Sequence, residues 1–154
     1  MKNKTIYALS SPYGISGVSI VRISGPESRE VLSKLCNFKT IIPRRAYHKK
    51  ILDLNSQIID KGLVIFFSSP KTFTGEDMLE LHVHGSIAVI KKILITLSEF
   101  NNLRPAEPGE FSKRAHLNNK INALEAEGSF NLINAETELQ RKVSVSQSFG
   151  EHSK

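Results

Sequence analysis

Residues 71–85 read KTFTGEDMLELHVHG, a turn-forming segment followed by a strand pattern that glycines bracket. From Met78 to His84 the side chains alternate, which predicts a strand with one buried face. A half-buried strand normally carries bland polar residues on its second face, whereas this one carries a carboxylate and two imidazoles that could bind a ligand. The aliphatic face holds Leu79, Leu81 and Val83, and the second face holds Met78, Glu80, His82 and His84.

The sequence around this stretch predicts four further strands. They cover residues 5–9, 18–23, 47–52 and 58–67, the last two joined by a turn at residues 53–56. Residues 63–67 (LVIFF) form a continuous apolar run, which indicates a central strand. The loop at residues 10–17 is rich in glycine and serine, and we expect it to be mobile and close to a ligand site.

Helical patterns predict four helices. The first opens at Ser24, which could cap it with Glu27 as a capping box, and ends at Cys36 in the core. The next two cover residues 86–100 and 110–117, separated by a linker at residues 101–109. The last runs from Asn122 to about Val145, roughly 35 Å at 1.5 Å per residue.

Composition excludes several classes of protein. The chain has 154 residues, 40% hydrophobic and 23% charged, which is ordinary for a globular protein. No apolar run is long enough for a transmembrane helix, no signal peptide is predicted, and a single cysteine excludes an internal disulfide framework. We therefore expect a cytoplasmic protein. The net charge of +6 favours an anionic partner or simply provides a solvated basic surface.

Two charged features in the strands have more than one interpretation. Arg22 lies in an apolar strand and needs either an internal carboxylate or an anionic ligand, because burying it unpaired costs several kcal/mol. His82 and His84 share a strand face near Glu80, so a metal-dependent hydrolase is one alternative, although two imidazoles are a weak zinc signal. A plain tRNA-binding or assembly module is another alternative, although the signatures of common RNA-binding modules are absent.

Four blocks of sequence together resemble the N-terminal part of the MnmE/TrmE family of tRNA-modification GTPases. They occur in the order and spacing of that family and cover nearly the whole chain. The blocks are residues 17–25 (GVSIVRISG), residues 72–77 (TFTGED) with 79–81 (LEL) and 84–85 (HG), residues 104–115 (RPAEPGEFSKRA) and residues 117–120 (LNNK).

The resemblance implies a fold and a ligand. The fold is α+β, with helices on a mixed or antiparallel sheet, similar to the tetrahydrofolate-binding domain of aminomethyltransferases and followed by a long C-terminal helix. The ligand is 5-formyl-tetrahydrofolate, the one-carbon source for modifying the wobble uridine (U34) of tRNA. Arg22, Glu80 and Lys120 stand at the family's folate-contacting positions. A carboxylate suits the amino-pyrimidinone edge of a pterin, and the two cations suit its carbonyls or glutamate tail.

The resemblance also implies a domain organisation. Residues 1–119 are interpreted as a folate-binding and dimerisation domain, and residues 120–154 as the start of a central helical domain. The family's GTPase domain is missing here, and the phosphate-loop pattern G-x-x-x-x-G-K-[ST] does not occur. GTP, Mg and K are therefore expected only in that missing domain, and no catalytic or metal residue is assigned. The expected partners are a second copy of the chain, an MnmG/GidA-type flavoprotein and tRNA, without a membrane.

Overall fold

The computed structural model describes residues 4–10, 17–38 and 40–118. Within these ranges the chain forms six strands and three helices. In order they are β1 (Thr5–Leu9), β2 (Val18–Ser24), α1 (Ser28–Cys36), β3 (Ala46–Leu52), β4 (Ile58–Phe67), β5 (Met78–His84), α2 (Ile87–Ser98), β6 (Leu103–Pro105) and α3 (Glu110–Leu117).

The strands form one sheet in the order β3-β4-β5-β2-β1-β6. All neighbouring strands are antiparallel except β1 and β6, which are parallel. The alternating stretch, now β5, lies between β4 and β2 near the middle of the sheet. The edges are β3, whose register shifts between Ile51 and Leu52, and the three-residue strand β6. These features confirm the predicted α+β fold with a mixed sheet.

The first face of the sheet is covered by α1 and α2. Leu79, Leu81 and Val83 of β5 are buried there, as their spacing predicts. Helix α1 contributes Val31, Leu32, Leu35 and Cys36, and α2 contributes Ile90, Ile93 and Leu97. Burying a large aliphatic side chain contributes about 1.5–3 kcal/mol, so this face supplies most of the core.

The second face of the sheet is covered only in part within the described ranges. Phe111 of α3 packs with Ile6 and Met78, which explains why Met78 is buried although it shares a face with Glu80. Two cross-strand rows lie beside this covered part. The Glu80 row holds Ala46, Ile65, Glu80 and Arg22, and the His82 row holds His48, Leu63, His82 and Ile20.

The predicted helix start at Ser24 is wrong. Strand β2 continues through Ser24, whose hydroxyl bonds the side chains of Thr74 and Glu76 instead of capping a helix. Helix α1 begins at Ser28, and its N-cap residue Glu27 makes no side-chain capping bond. Ser24 is therefore occupied by tertiary contacts that a local pattern does not contain.

Several other predictions can be compared with the described ranges. The segment 101–109 was expected to be a linker, but it contains β6, which pairs with β1. Residues 11–16 of the predicted mobile loop, Lys120 and the long helix from Asn122 lie outside the described residues. None of the described helices has the length and apolar content needed to cross a membrane.

Candidate functional site

Arg22 and Glu80 face each other on the second face of the sheet. They are register partners across the antiparallel strands β2 and β5, so their side chains emerge on the same side. Both Nε and Nη2 of Arg22 donate to Oε2 of Glu80, at 3.2 and 3.1 Å. The structure thus brings together two of the three predicted site residues and gives Arg22 the internal carboxylate that one interpretation required.

The second oxygen of Glu80 is bonded to the neighbouring histidine on the same strand. Nε2 of His82 lies 3.0 Å from Oε1 of Glu80. This hydrogen bond, together with the charge of Arg22, outweighs burial and holds the pKa of Glu80 below its usual value. Glu80 is therefore a fixed, ionised acceptor at neutral pH.

The ion pair forms one wall of a cavity of about 360 Å³. The remaining lining residues are apolar: Phe67, Phe73 and Met78. The Arg22 side chain keeps 30% of its exposure, and Glu80 keeps 16%. Because the pair opens onto this space, it is accessible to a ligand. A site with aromatic walls and a few fixed polar groups is typical of small-molecule binding.

The loop between β4 and β5 carries Phe73 to the rim of the cavity, where it is 41% exposed. The loop is held by its own hydrogen bonds. Oγ1 of Thr72 donates to the carbonyl of Glu76 at 2.6 Å and accepts from the amide of Gly75 at 2.9 Å. Gly75 has a φ of 83°, a conformation that favours glycine. The TFTGED motif therefore builds a fixed loop that presents an aromatic ring.

A buried guanidinium connects this loop to helix α3. Arg114, only 3% exposed, donates to Glu76 at 3.0 Å and to the carbonyl of Lys4 at 2.7 Å. It also bonds Glu110, which a second arginine, Arg104, contacts. Burial raises the pKa of Glu110, but the hydrogen bond from Arg104 and further contacts outweigh it, so the pKa is lowered overall. This network stabilises the loop and helix beside the cavity.

Lys120, the third predicted site residue, lies outside the described residues. The end of the described chain is nevertheless close to the cavity loop. Nδ2 of Asn118, two residues earlier, donates to the carbonyl of Thr74 at 2.9 Å. Thr74 follows Phe73 directly, so the described chain ends beside the loop that lines the cavity.

The two histidines of β5 bond different carboxylates. His82 bonds Glu80, whereas Nδ1 of His84 lies 2.9 Å from Oδ1 of Asp60. Burial raises the pKa of Asp60, but hydrogen bonds from His84 outweigh it and lower the pKa overall. Within the described ranges no three histidine, cysteine, aspartate or glutamate side chains are grouped to hold a metal ion. The geometry therefore gives the metal-dependent hydrolase no support.

Sequence reasoning missed the apolar walls of the cavity. Phe67 ends an apolar run that was interpreted as a central strand, and indeed β4 pairs on both sides. Its alternate residues, however, face the second side of the sheet, where Phe67 is only half-buried. Phe73 lies in the TFTGED motif, in which the local pattern indicates no role for it. A phenylalanine flanked by threonines in a turn was the available signal for an exposed ring.

Comparisons with known proteins agree with one another. The family model described as GTP-binding protein TrmE N-terminus matches residues 5–120. A protein named tRNA modification GTPase MnmE from Orientia tsutsugamushi is 45% identical over 152 residues, covering 98% of this chain and 34% of that protein. The proteins of the same name from Rhizobium johnstonii and Anaplasma phagocytophilum are 47% and 49% identical, covering 97% and 95% of this chain. This chain spans about a third of the length of the relatives it matches.

Proposed function

The chain belongs to the family of the GTP-binding protein TrmE N-terminus, and on that premise we propose that it binds 5-formyl-tetrahydrofolate in the cavity beside Arg22 and Glu80. The single observation that carries the proposal is the ion pair of these two residues at the wall of a cavity of about 360 Å³ with aromatic sides. The bound folate supplies the one-carbon unit for modifying the wobble uridine of tRNA.

The polar wall has the donors and acceptors that a reduced pterin needs. A carboxylate offers about four lone-pair positions, and Arg22 and His82 use three contacts to Glu80. The Arg22 guanidinium has five N–H donors, of which two are directed at Glu80. The one remaining position, on Oε1 of Glu80, can therefore accept a hydrogen bond from the amino-pyrimidinone, while the remaining N–H groups of Arg22 meet a ligand carbonyl.

The apolar walls suit the flat part of the ligand. Phe67 and Phe73 flank the cavity together with Met78, and aromatic or thioether side chains pack well on a heteroaromatic ring. The loop that carries Phe73 is held by hydrogen bonds between Thr72, Gly75 and Glu76, so little entropy of its backbone is lost on binding. Lys120 is proposed as a third contact, supplied by the segment that leaves Asn118 beside the same loop.

The other parts of the proposed function belong to the full-length relatives. We propose that GTP, with Mg and K, binds only a separate GTPase domain, and that this chain contributes folate binding and homodimerisation to U34 modification. A MnmG/GidA-type flavoprotein and tRNA are the proposed further partners. Exposed apolar side chains on the described surface, among them Val18 and Ile95, are compatible with association. Sedimentation at tens of micromolar tests the dimer, because a monomer there contradicts it.

Calorimetric titration of the purified chain with 5-formyl-tetrahydrofolate tests the binding proposal. Arg22→Ala and Glu80→Ala are each expected to weaken binding by about tenfold or more, since a charged hydrogen bond contributes about 1.5–3 kcal/mol. Lys91→Ala is the matched control, because Lys91 is an exposed cation on α2, on the first face of the sheet. Circular dichroism checks that each variant is folded. Wild-type affinity in both site variants contradicts the proposal.

A further inference from the structure

A second cavity lies on the second face of the sheet, next to the proposed folate cavity. Its volume is also about 360 Å³. Its side chains include three imidazoles and an ammonium, and no acidic residue is among those that line it in the described part of the chain. The principal lining residues are Val18, His48, Lys61, Leu63, His82 and His84.

Lys61 at this cavity forms no ion pair with a carboxylate in the described ranges, whereas His82 and His84 are bonded to Glu80 and Asp60. Lys61 lies directly opposite Lys50 across β3 and β4, an arrangement of like charges that destabilises a strand pair. Other lysines of the chain do find carboxylates, as Lys92 does with Asp53 at 3.4 Å. Asp60 is bonded to His84, and Glu80 is bonded to Arg22 and His82, so neither carboxylate pairs with Lys61. An anion entering the cavity would relieve the repulsion between the two ammonium groups.

The two cavities are adjacent along β5. The first lies at Met78 and Glu80, and the second at His82 and His84. From Met78 to His84 there are six steps of about 3.3 Å, or about 20 Å in all. On the neighbouring strand β4, Ile65 lies beside Glu80 and Leu63 lies beside His82, so both rows also carry apolar side chains. Together the two cavities match an extended ligand with a flat ring at one end and carboxylates at the other.

We propose that the second cavity binds the glutamyl tail of the folate whose pterin occupies the first, with Lys61 as the main contact. This inference rests on the proposed function and adds to it a preference for the number of glutamates in the folate tail. Each γ-linked glutamate brings one further carboxylate, and an ammonium group recognises carboxylates by charge-assisted hydrogen bonds. The site therefore prefers folates that carry several glutamates over those that carry one.

The experiment compares the monoglutamate and the triglutamate of 5-formyl-tetrahydrofolate by calorimetry on the whole chain. In the wild type we expect the triglutamate to bind about tenfold more tightly, the gain of one charged hydrogen bond. Lys61→Gln is expected to remove most of that gain, so that the two folates bind with similar affinity. Lys91→Gln, which changes the net charge equally on the first face, should retain the gain. Added salt should reduce the gain, because the tail site is open to solvent.

The outcomes separate this inference from the proposed function. If the monoglutamate binds but the triglutamate binds no tighter, or if Lys61→Gln keeps the full gain, the tail site is overturned and the pterin site remains. If Lys91→Gln loses the gain as Lys61→Gln does, the effect is one of net charge and the tail site is again overturned. If neither folate binds the wild type, the proposed function itself fails.

Discussion

Replacement of Arg114 by methionine should destabilise the domain strongly. The substitution keeps the aliphatic length of the side chain but removes a guanidinium that is 3% exposed. Glu76 then loses contacts at 3.0 and 3.3 Å, and the carbonyl of Lys4 loses its donor at 2.7 Å. Breaking a buried ion pair from one side costs about 3–5 kcal/mol. Since domains of this size are stable by about 5–15 kcal/mol, a third or more of the total can be lost.

Urea denaturation followed by circular dichroism measures this loss. Arg104→Met is the matched control, because Arg104 also pairs with Glu110 but its side chain is 37% exposed. Water screens the more exposed Arg104, and Glu110 keeps its bond to Arg114 in this control, so the control should shift the midpoint less than Arg114→Met does. The double variant Glu76→Gln/Arg114→Met should recover part of the loss, since it no longer buries an unpaired charge. A cost for Arg114→Met below about 1 kcal/mol, or equal to that of Arg104→Met, would refute the reasoning.

Three further predictions concern single residues. Because the folded-state pKa of Glu80 is lowered, its contribution to stability is present above about pH 4.5 and is lost as the pH falls further. Glu80→Gln should therefore make the free energy of unfolding less dependent on pH in the acid range. An unchanged dependence contradicts this. Gly62→Ala should lower the free energy of unfolding by about 1–3 kcal/mol, because its Cβ would lie 2.1 Å from the carbonyl oxygen of His82. Thermal melts measure this loss, and Gly17→Ala is the control because its Cβ would have nothing within 4 Å. Burial raises the pKa of Cys36 to about 12, so a thiol reagent at pH 8 should label it only after unfolding, and fast labelling of the native chain speaks against its burial.

Most of what could be predicted from the sequence came from the alternation of side chains along the strands. The alternation of residues 78–84 placed Glu80 opposite the aliphatic core, and the apolar run around Arg22 identified it as a cation that needs a partner. That these two residues are partners of each other depends on the register of β2 and β5, which are 58 residues apart in this pair. A local pattern does not contain that register, so either partner for Arg22 was an equally valid prediction.

The elements that were missed depend on contacts between distant segments. Strand β6 has three residues in a segment rich in turn formers, and it exists because its backbone pairs with β1. Ser24 has the residue type of a helix cap, but Thr74 and Glu76 engage its hydroxyl and β2 extends through it. The apolar cavity walls were missed for the same reason, since Phe67 of β4 and Phe73 of the β4–β5 loop line one cavity only through the tertiary fold.

The two outer strands of the sheet carry features that discourage further strand addition. Strand β3 displays Lys49 and Lys50 and is interrupted by the register shift between Ile51 and Leu52. At the opposite margin, β6 is very short and ends in Pro105, which has no N–H to donate. Edge strands with charged side chains, irregular registers or prolines pair poorly with strands of other molecules, which hinders aggregation. Copies of this chain should therefore associate through side chains and not by continuing one sheet from molecule to molecule.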